Sequence, residues 1–599
     1  MKRYKKYIKP YLGSFIAGPV MMLTEVVGEV MLPRLMSFII NYGVAERDMA
    51  YIIRIGLLMV LTVAVMAAGG ILGAYFAARA SICFTSDLRR DVFAKVQEFS
   101  FENIDRFSTG SLVTRLTNDI QQVQNVLMMS LKMALRAPGM FIGALIMAFF
   151  MNPQLAVIIL IVIPLLLCAI IFILRAAFPR FEIMQKKLDE LNSGIQEALT
   201  NVRVVKSFVR EDFEIRKFSV LNEELKESSL GALRIVIATM PVMMFAMNLT
   251  TLAVVWYGGN IIIAGRMAVG DLTAFTTYIV QILMSLMMLS MIFLQSSRAK
   301  ASLKRVNEVL DEDVTLNDVK ETTKEKMVES GCVEFQDVSF GYSQDGMAGR
   351  TVLEHISFRA ESGQTVGIIG STGSGKTSLV QLIPRLYDVT SGSVLVDGTD
   401  VRDYSLKELR NAVGMVLQKN VLFSGTIEEN LRWGNESASE EEIREAAESA
   451  QAAGFIESFP GGYDTDLGQG GVNVSGGQKQ RLCIARALLK TPKILILDDS
   501  TSAVDTATEA GLRESLRTGM KDATKIIIAQ RISSVRDADL ILVLDEGKIS
   551  GRGTHDELLE HCTAYREIYL TQAGERQQEE TDTKEQPNAA GSLAEEAAK

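Results

Sequence analysis

Histidine is nearly missing from this sequence: 599 residues hold three, His355, His555 and His561. A reaction that needs an imidazole base therefore has few candidates here. The five cysteines (Cys83, Cys168, Cys332, Cys483 and Cys562) are scattered, with the paired spacing of neither a disulfide framework nor a zinc site. No basic cluster offsets the net charge of −9, so nucleic acid is not expected as a partner. The start, MKRYKKYIKPYLGSF, is basic, but the apolar stretch after it is too long for a signal core and has no clear small-residue cleavage site. A cleavable secretory signal is not expected.

What is abundant is apolar. Such residues make up 48% of a chain too long for one ordinary domain, beside 22% charged residues, a mixture that fits a membrane part fused to a soluble part. Stretches able to cross a bilayer lie near 12–40, 51–78, 133–151, 154–177, 235–264 and 273–295, all in the first half. The connections at 79–132 and 178–234 are long, charged and patterned as helices. Built as helical hairpins, their arms of roughly 25 residues extend on the order of 40 Å from the bilayer. Arg79, Arg89, Arg90, Lys132, Arg136, Arg175, Arg180 and Arg234 crowd the inner flanks, which places the arms and both termini in the cytoplasm.

Glu25 and Glu29 fall mid-span in the first crossing, four residues apart on one helix face, where an acid suggests either a pathway role or a wet cavity wall. Facing the cavity, they would favour cationic amphiphiles. Methionines gather in the fifth and sixth crossings (Met240, Met243, Met244, Met247, Met284, Met287, Met288 and Met291), as an adaptable binding surface or as lipid-facing filler. The expected domains are a membrane domain over 1–310, a polar linker over 311–331, a soluble domain over 332–572, and an acidic tail over 573–599 of disordered composition. From Cys332, short β-branched strands alternate with helices, the pattern of an α/β domain with a largely parallel sheet.

Residues 365–380, TVGIIGSTGSGKTSLV, run from a strand into Gly370, Ser371, Thr372, Gly373, Ser374, Gly375, Lys376, Thr377 and Ser378, then into a helix. This is G-x-x-x-x-G-K-[ST] in the context it requires. Its glycines turn backbone N–H groups toward phosphate oxygens, Lys376 reaches the β- and γ-phosphates, and Thr377 holds Mg²⁺. Ile494–Leu497 reads as a buried strand ending in Asp498, an acid placed to help hold that metal.

Residues 474–481, VSGGQKQR, resemble the signature motif of ABC transporters, and the family's other elements follow in order. Tyr342 stands where an aromatic stacks on adenine, Gln418 where the Q-loop glutamine meets Mg²⁺, Ser502–Asp505 where the D-loop lies, and Gln530 at the switch position. The front half resembles the type-1 exporter membrane domain, through FSTGSLVTRLTNDI and VKSFVREDFEIRKF. The resemblance implies six transmembrane helices with long cytoplasmic arms, fused to an α/β P-loop domain. One of each makes a half-transporter that needs a second half. In this family two ATP molecules lie between one subunit's phosphate loop and the other's signature, so Ser475, Gly476, Gly477 and Gln478 would serve the partner's ATP.

The chain departs from the family pattern at three places. Asp499 replaces the glutamate that orients the attacking water, Gln530 replaces the switch histidine, and Gln469 and Gly470 stand in GQGG where exporters usually show GERG. The carboxylate of Asp499 is recessed by up to about 1.5 Å, one C–C bond. Misplacing a base by about 1 Å can cost on the order of 100-fold. The expectation is an ATP hydrolase coupled to export of hydrophobic or amphiphilic compounds across a prokaryotic plasma membrane. Its own phosphate-loop site would be degenerate, and its partner in a heterodimer intact. A homodimeric lipid or drug flippase and a nucleotide-sensing regulatory subunit are the rival readings.

Overall fold

A computed structural model describes residues 3–316, 318, 326–342, 351–499 and 504–572, giving the backbone alone at 170, 174, 236, 239, 243, 290–298 and 506. Two compact units emerge: Met1–Gln97 with Gly110–Asp311, and Glu98–Thr109 with the chain from Glu312 onward.

Among the described residues, the first unit holds six helices long and apolar enough to cross a membrane: Lys5–Val44, Met49–Gln97, Thr109–Met151, Pro153–Thr200, Glu211–Ile263 and Val269–Leu289. Each expected apolar run falls on one of them. Met49–Gln97 is a single helix of 49 residues, and at about 1.5 Å per residue it spans roughly 70 Å. A hydrocarbon core of about 30 Å leaves some 40 Å of it as a polar arm. The arms are therefore continuations of the membrane helices. Of the methionines singled out, Met240, Met244 and Met284 are exposed, while Met247 and Met287 pack on the apolar core. The side chains of Met243 and Met291 lie outside the described residues.

The first and last crossings are joined by polar bonds. Tyr278, fully buried, donates to Val30 O at 2.8 Å, Gln281 Nε2 to Glu29 O at 2.9 Å, and Arg34 Nη1 to Asp271 Oδ1 at 2.9 Å. Arg136, read from the sequence as a flanking cation, is instead paired within the unit. Its Nη2 lies 3.1 Å from Glu25 Oε1 and 3.4 Å from Glu29 Oε1, with all three side chains about three-quarters buried. Charge in an apolar bundle persists where it finds a counter-charge, and that accounts for both acids. Glu25→Gln with Glu29→Gln leaves the guanidinium uncompensated and should cost on the order of 1–3 kcal/mol, read as a lower Tm in detergent. Adding Arg136→Gln should recover most of that loss. A double change with unaltered Tm would mean that the pairing is incidental.

The tip of the first arm belongs with the second unit. Ser100 caps the short helix Phe101–Arg106 by accepting from Asn103 N, and Asn103 Oδ1 accepts from Ser100 N in return. Asn103 Nδ2 then donates to Glu312 Oε1 and Asp313 O, and Arg106 pairs with both carboxylate oxygens of Glu312.

Among the described residues, ten strands build the second unit: β1 Val333–Gly341, β2 Thr351–Ala360, β3 Thr365–Gly370, β4 Ser391–Val396, β5 Thr399–Asp400, β6 Val413–Val416, β7 Ile494–Asp498, β8 Thr524–Ile528, β9 Leu540–Asp545 and β10 Lys548–Gly553. They form two sheets, in the orders β2-β1-β4-β5 and β10-β9-β3-β8-β7-β6. The second sheet is parallel from β9 to β6. The first is antiparallel, an addition to the largely parallel sheet that the sequence suggested. The alternating burial of β1 shows one face solvated, while the ILIL run of β7 is buried on both faces. Each such fully buried side chain contributes about 1.5–3 kcal/mol.

Candidate functional site

β8 lies between β3 and β7, so the carboxyl ends of three neighbouring parallel strands open together. In open α/β sheets this edge is where ligands bind. The phosphate loop leaves β3 there, Asp498 ends β7 with Asp499 directly after it, and Gln530 follows β8 by two residues. They line a cleft of about 740 Å³ with Gln418. Glycine at 370 is required locally: φ is 156°, and a Cβ would lie 2.0 Å from Leu544 O.

Gly370, Ser371, Thr372, Gly373, Gly375, Lys376, Thr377 and Ser378 all line this cleft, while Ser374 is buried, its Oγ without a hydrogen-bond partner among the described residues. Lys376 Nζ donates to Gly370 O at 2.9 Å and Ser371 O at 2.7 Å, which holds the ammonium across the loop. Burial lowers its pKa, opposed by the charges of Asp499 and Asp498. Thr377 Oγ1 donates to Asp498 Oδ1 at 3.1 Å, and the other oxygen, Oδ2, is buried without a hydrogen-bond partner among the described residues. Burial raises the pKa of Asp498, the Thr377 hydroxyl opposing and Asp499 adding to it. A buried orphan carboxylate oxygen beside a hydroxyl is an oxygen donor set that fits Mg²⁺.

Asp499 sits at φ 48° and has its pKa raised by burial, against side-chain hydrogen bonds from Gln530 and Gln418 and the charge of Lys376. Gln530 Nε2 donates to Asp499 Oδ2 at 2.6 Å. Two of the departures from the family pattern thus engage each other. No histidine lines the cleft: His355 pairs with Asp337, and His555 is buried against Tyr565. Tyr342 is partly exposed, its hydroxyl 2.8 Å from Ser378 Oγ.

Ser475, Gly476 and Gly477 line a separate depression of about 440 Å³ with Arg481, Val504 and Asp505, sharing no residue with the first. Ser475 Oγ accepts from Gln478 N, and Gln478 Oε1 accepts from Ser475 N at 2.9 Å, a reciprocal cap on the helix Gly476–Leu488. Within the GQGG run, Gly470 takes φ 68°, a left-handed conformation that glycine adopts without strain. Val504 and Asp505 of the expected D-loop are described, while Ser502 and Ala503 lie outside the described residues. Sequence reasoning missed Asp545, Glu567 and Ile568, which complete the cleft wall. They come from β9 and the C-terminal segment, and no local motif marks them.

Residues 15–286 match the ABC transporter transmembrane region, and 353–502 match the ABC transporter family. The uncharacterized ABC transporter ATP-binding protein YfiB of Bacillus subtilis is 41% identical over 578 residues, 96% of this chain and 99% of the relative. The ATP-dependent lipid A-core flippase of Desulfotalea psychrophila is 35% identical over 486 residues, 81% of this chain and 84% of the flippase. A solved bacterial Atm1-family ABC exporter with ATP bound superposes at a TM-score of 0.76 with 25% identity, covering 95% of this chain and 98% of that one. Six apolar helices fused to a phosphate-loop α/β unit, matched nearly end to end by such relatives, place this chain among the ABC transporters, as an exporter half-transporter.

Proposed function

We propose that this chain is one subunit of a heterodimeric, ATP-driven exporter in a prokaryotic plasma membrane, with both termini cytoplasmic, moving hydrophobic or amphiphilic compounds outward by alternating access. Its own cleft is the weakly hydrolytic site, and its Ser475–Gln478 turn serves the cleft of an intact partner. The domains are then 1–310 in the membrane, a linker over 311–331, and a nucleotide-binding domain over 332–572. Lys376 would take the phosphates, Thr377, Gln418 and Asp498 the metal, and Tyr342 the adenine. Bound Mg²⁺ would neutralise the charge on the phosphate oxygens.

The observation that carries this reading is the 2.6 Å bond from Gln530 to Asp499. At the base position a shortened carboxylate is tied to an amide, which can donate a hydrogen bond but cannot become a cation beside phosphate. A need for a second subunit is supported by the separation of the two depressions. The tip of the second arm adds to it, with Phe208 73% and Val209 81% exposed. Apolar side chains so exposed at a tip call for a partner surface. ATP drives such a pair only by binding its closed state better than its open one.

ATPase measurement on the purified chain and on its co-expressed complex tests this. Alone, the chain should turn over about 100-fold more slowly, the scale of a misplaced base. Brisk turnover by a verified homodimer would overturn the assignment and favour a homodimeric flippase. The likeness to the lipid A-core flippase supports that second reading.

A further inference from the structure

Tyr387 belongs to none of the motifs that mark the cleft; it closes the RLYD turn after the phosphate-loop helix. Its ring centroid lies 5.2 Å from that of Tyr342 with the planes at 89°, and 5.7 Å from Phe340. It also lies 6.0 Å from the ring of Phe101, and its hydroxyl donates to Asp105 Oδ2 at 2.7 Å. Phe101 and Asp105 sit on the short helix Phe101–Arg106, the arm tip that Asn103 and Arg106 bind to Glu312. Tyr342 is in turn held by Ser378, the residue after Thr377 in the phosphate loop. One side chain thus touches both the aromatic beside the phosphate loop and the tip of the arm.

We infer that Tyr387 is a positioning residue that reports a base stacked on Tyr342 to the tip of the first arm. This rests on the reading of Tyr342 as the adenine platform. Perpendicular aromatic pairs hold a defined geometry, so a base that settles the Tyr342 ring also settles the ring of Tyr387. The hydroxyl carries that constraint onward because it is fixed to Asp105. Burial, and then the Asp105 carboxylate, push the tyrosine pKa far above its ordinary value, so the hydroxyl stays a donor throughout the neutral range. The signal depends on the base, whereas Lys376 and Thr377 answer to phosphate.

Hydrogen exchange of residues 101–107 in the full-length chain in lipid nanodiscs reads this directly. The probes are MgATP and magnesium ribose 5-triphosphate, which carries the phosphates without a base. MgATP should slow exchange roughly threefold or more in the unaltered protein, and the base-free triphosphate should leave it nearly unchanged. Tyr387→Phe keeps the ring and loses only the hydroxyl. It should abolish the slowing while the Kd for MgATP stays within about twofold, a split that mere loss of folding would not give. Asp105→Asn, which retains an acceptor oxygen, should preserve the response, and Asp105→Ala should lose it. Full slowing in Tyr387→Phe, or equal slowing by the base-free triphosphate, overturns the proposal. Tyr342→Ala tests the underlying reading by itself: MgATP affinity unchanged there would remove the platform and, with it, the input of the relay, whereas weakened affinity there with full slowing in Tyr387→Phe would overturn the relay alone.

Discussion

In the proposed two-subunit complex, Ser475→Ala is expected to reduce ATP turnover by about 100- to 1,000-fold, the scale of removing one preorganised donor to a developing charge. Asp499→Asn in the same complex should change it by no more than about twofold, because on the proposed assignment this site scarcely turns over and has little to lose. Part of the first effect is structural. Ser475 caps the helix Gly476–Leu488, and an N-cap change to alanine costs about 1 kcal/mol of stability. That loss appears in Tm, whereas the catalytic loss appears in single-turnover rates with the complex intact. Should Asp499→Asn abolish hydrolysis while Ser475→Ala is mild, the two sites have been assigned the wrong way round.

Restoring the cleft is expected to need two changes at once. Asp499→Glu lengthens the carboxylate toward a water, and Gln530→His supplies a group that can carry charge beside the γ-phosphate. Each alone meets a neighbour that was fitted to the original, since Gln530 Nε2 and Asp499 Oδ2 are 2.6 Å apart. Residues in direct contact couple by about 0.5–3 kcal/mol, so the pair together should exceed the product of the single effects by roughly tenfold. The catalytic glutamate of the proposed partner is first changed to glutamine, so that single-turnover hydrolysis reports this cleft. No gain over the singles would mean that Asp499 and Gln530 are not sufficient causes, and would direct attention to the partner's signature turn.

Much of this protein is fixed by short stretches of chain. The six membrane helices were legible because a run of about 20 apolar residues must form its backbone hydrogen bonds within itself in a bilayer. The phosphate loop was legible for a similar reason: the spacing from Gly370 to Thr377 prescribes one turn between one strand and one helix. β7 declared itself through ILIL, buried on both faces. The tertiary structure alone decided which distant residues meet. Arg136 looked like a flanking cation, and folding placed it against Glu25 and Glu29, more than 100 residues away. The segment 98–109 looked like the end of an arm, yet it belongs with the nucleotide-binding unit through Asn103, Arg106 and Glu312. Asp545, Glu567 and Tyr387 joined the site or its surroundings through strand order and packing, and the bond between Asp499 and Gln530 exists because β7 and β8 are neighbours in register. The physical difference is range: periodicity and turn chemistry act over a few residues, whereas charge pairs and cleft walls depend on contacts whose sequence separation leaves no local trace.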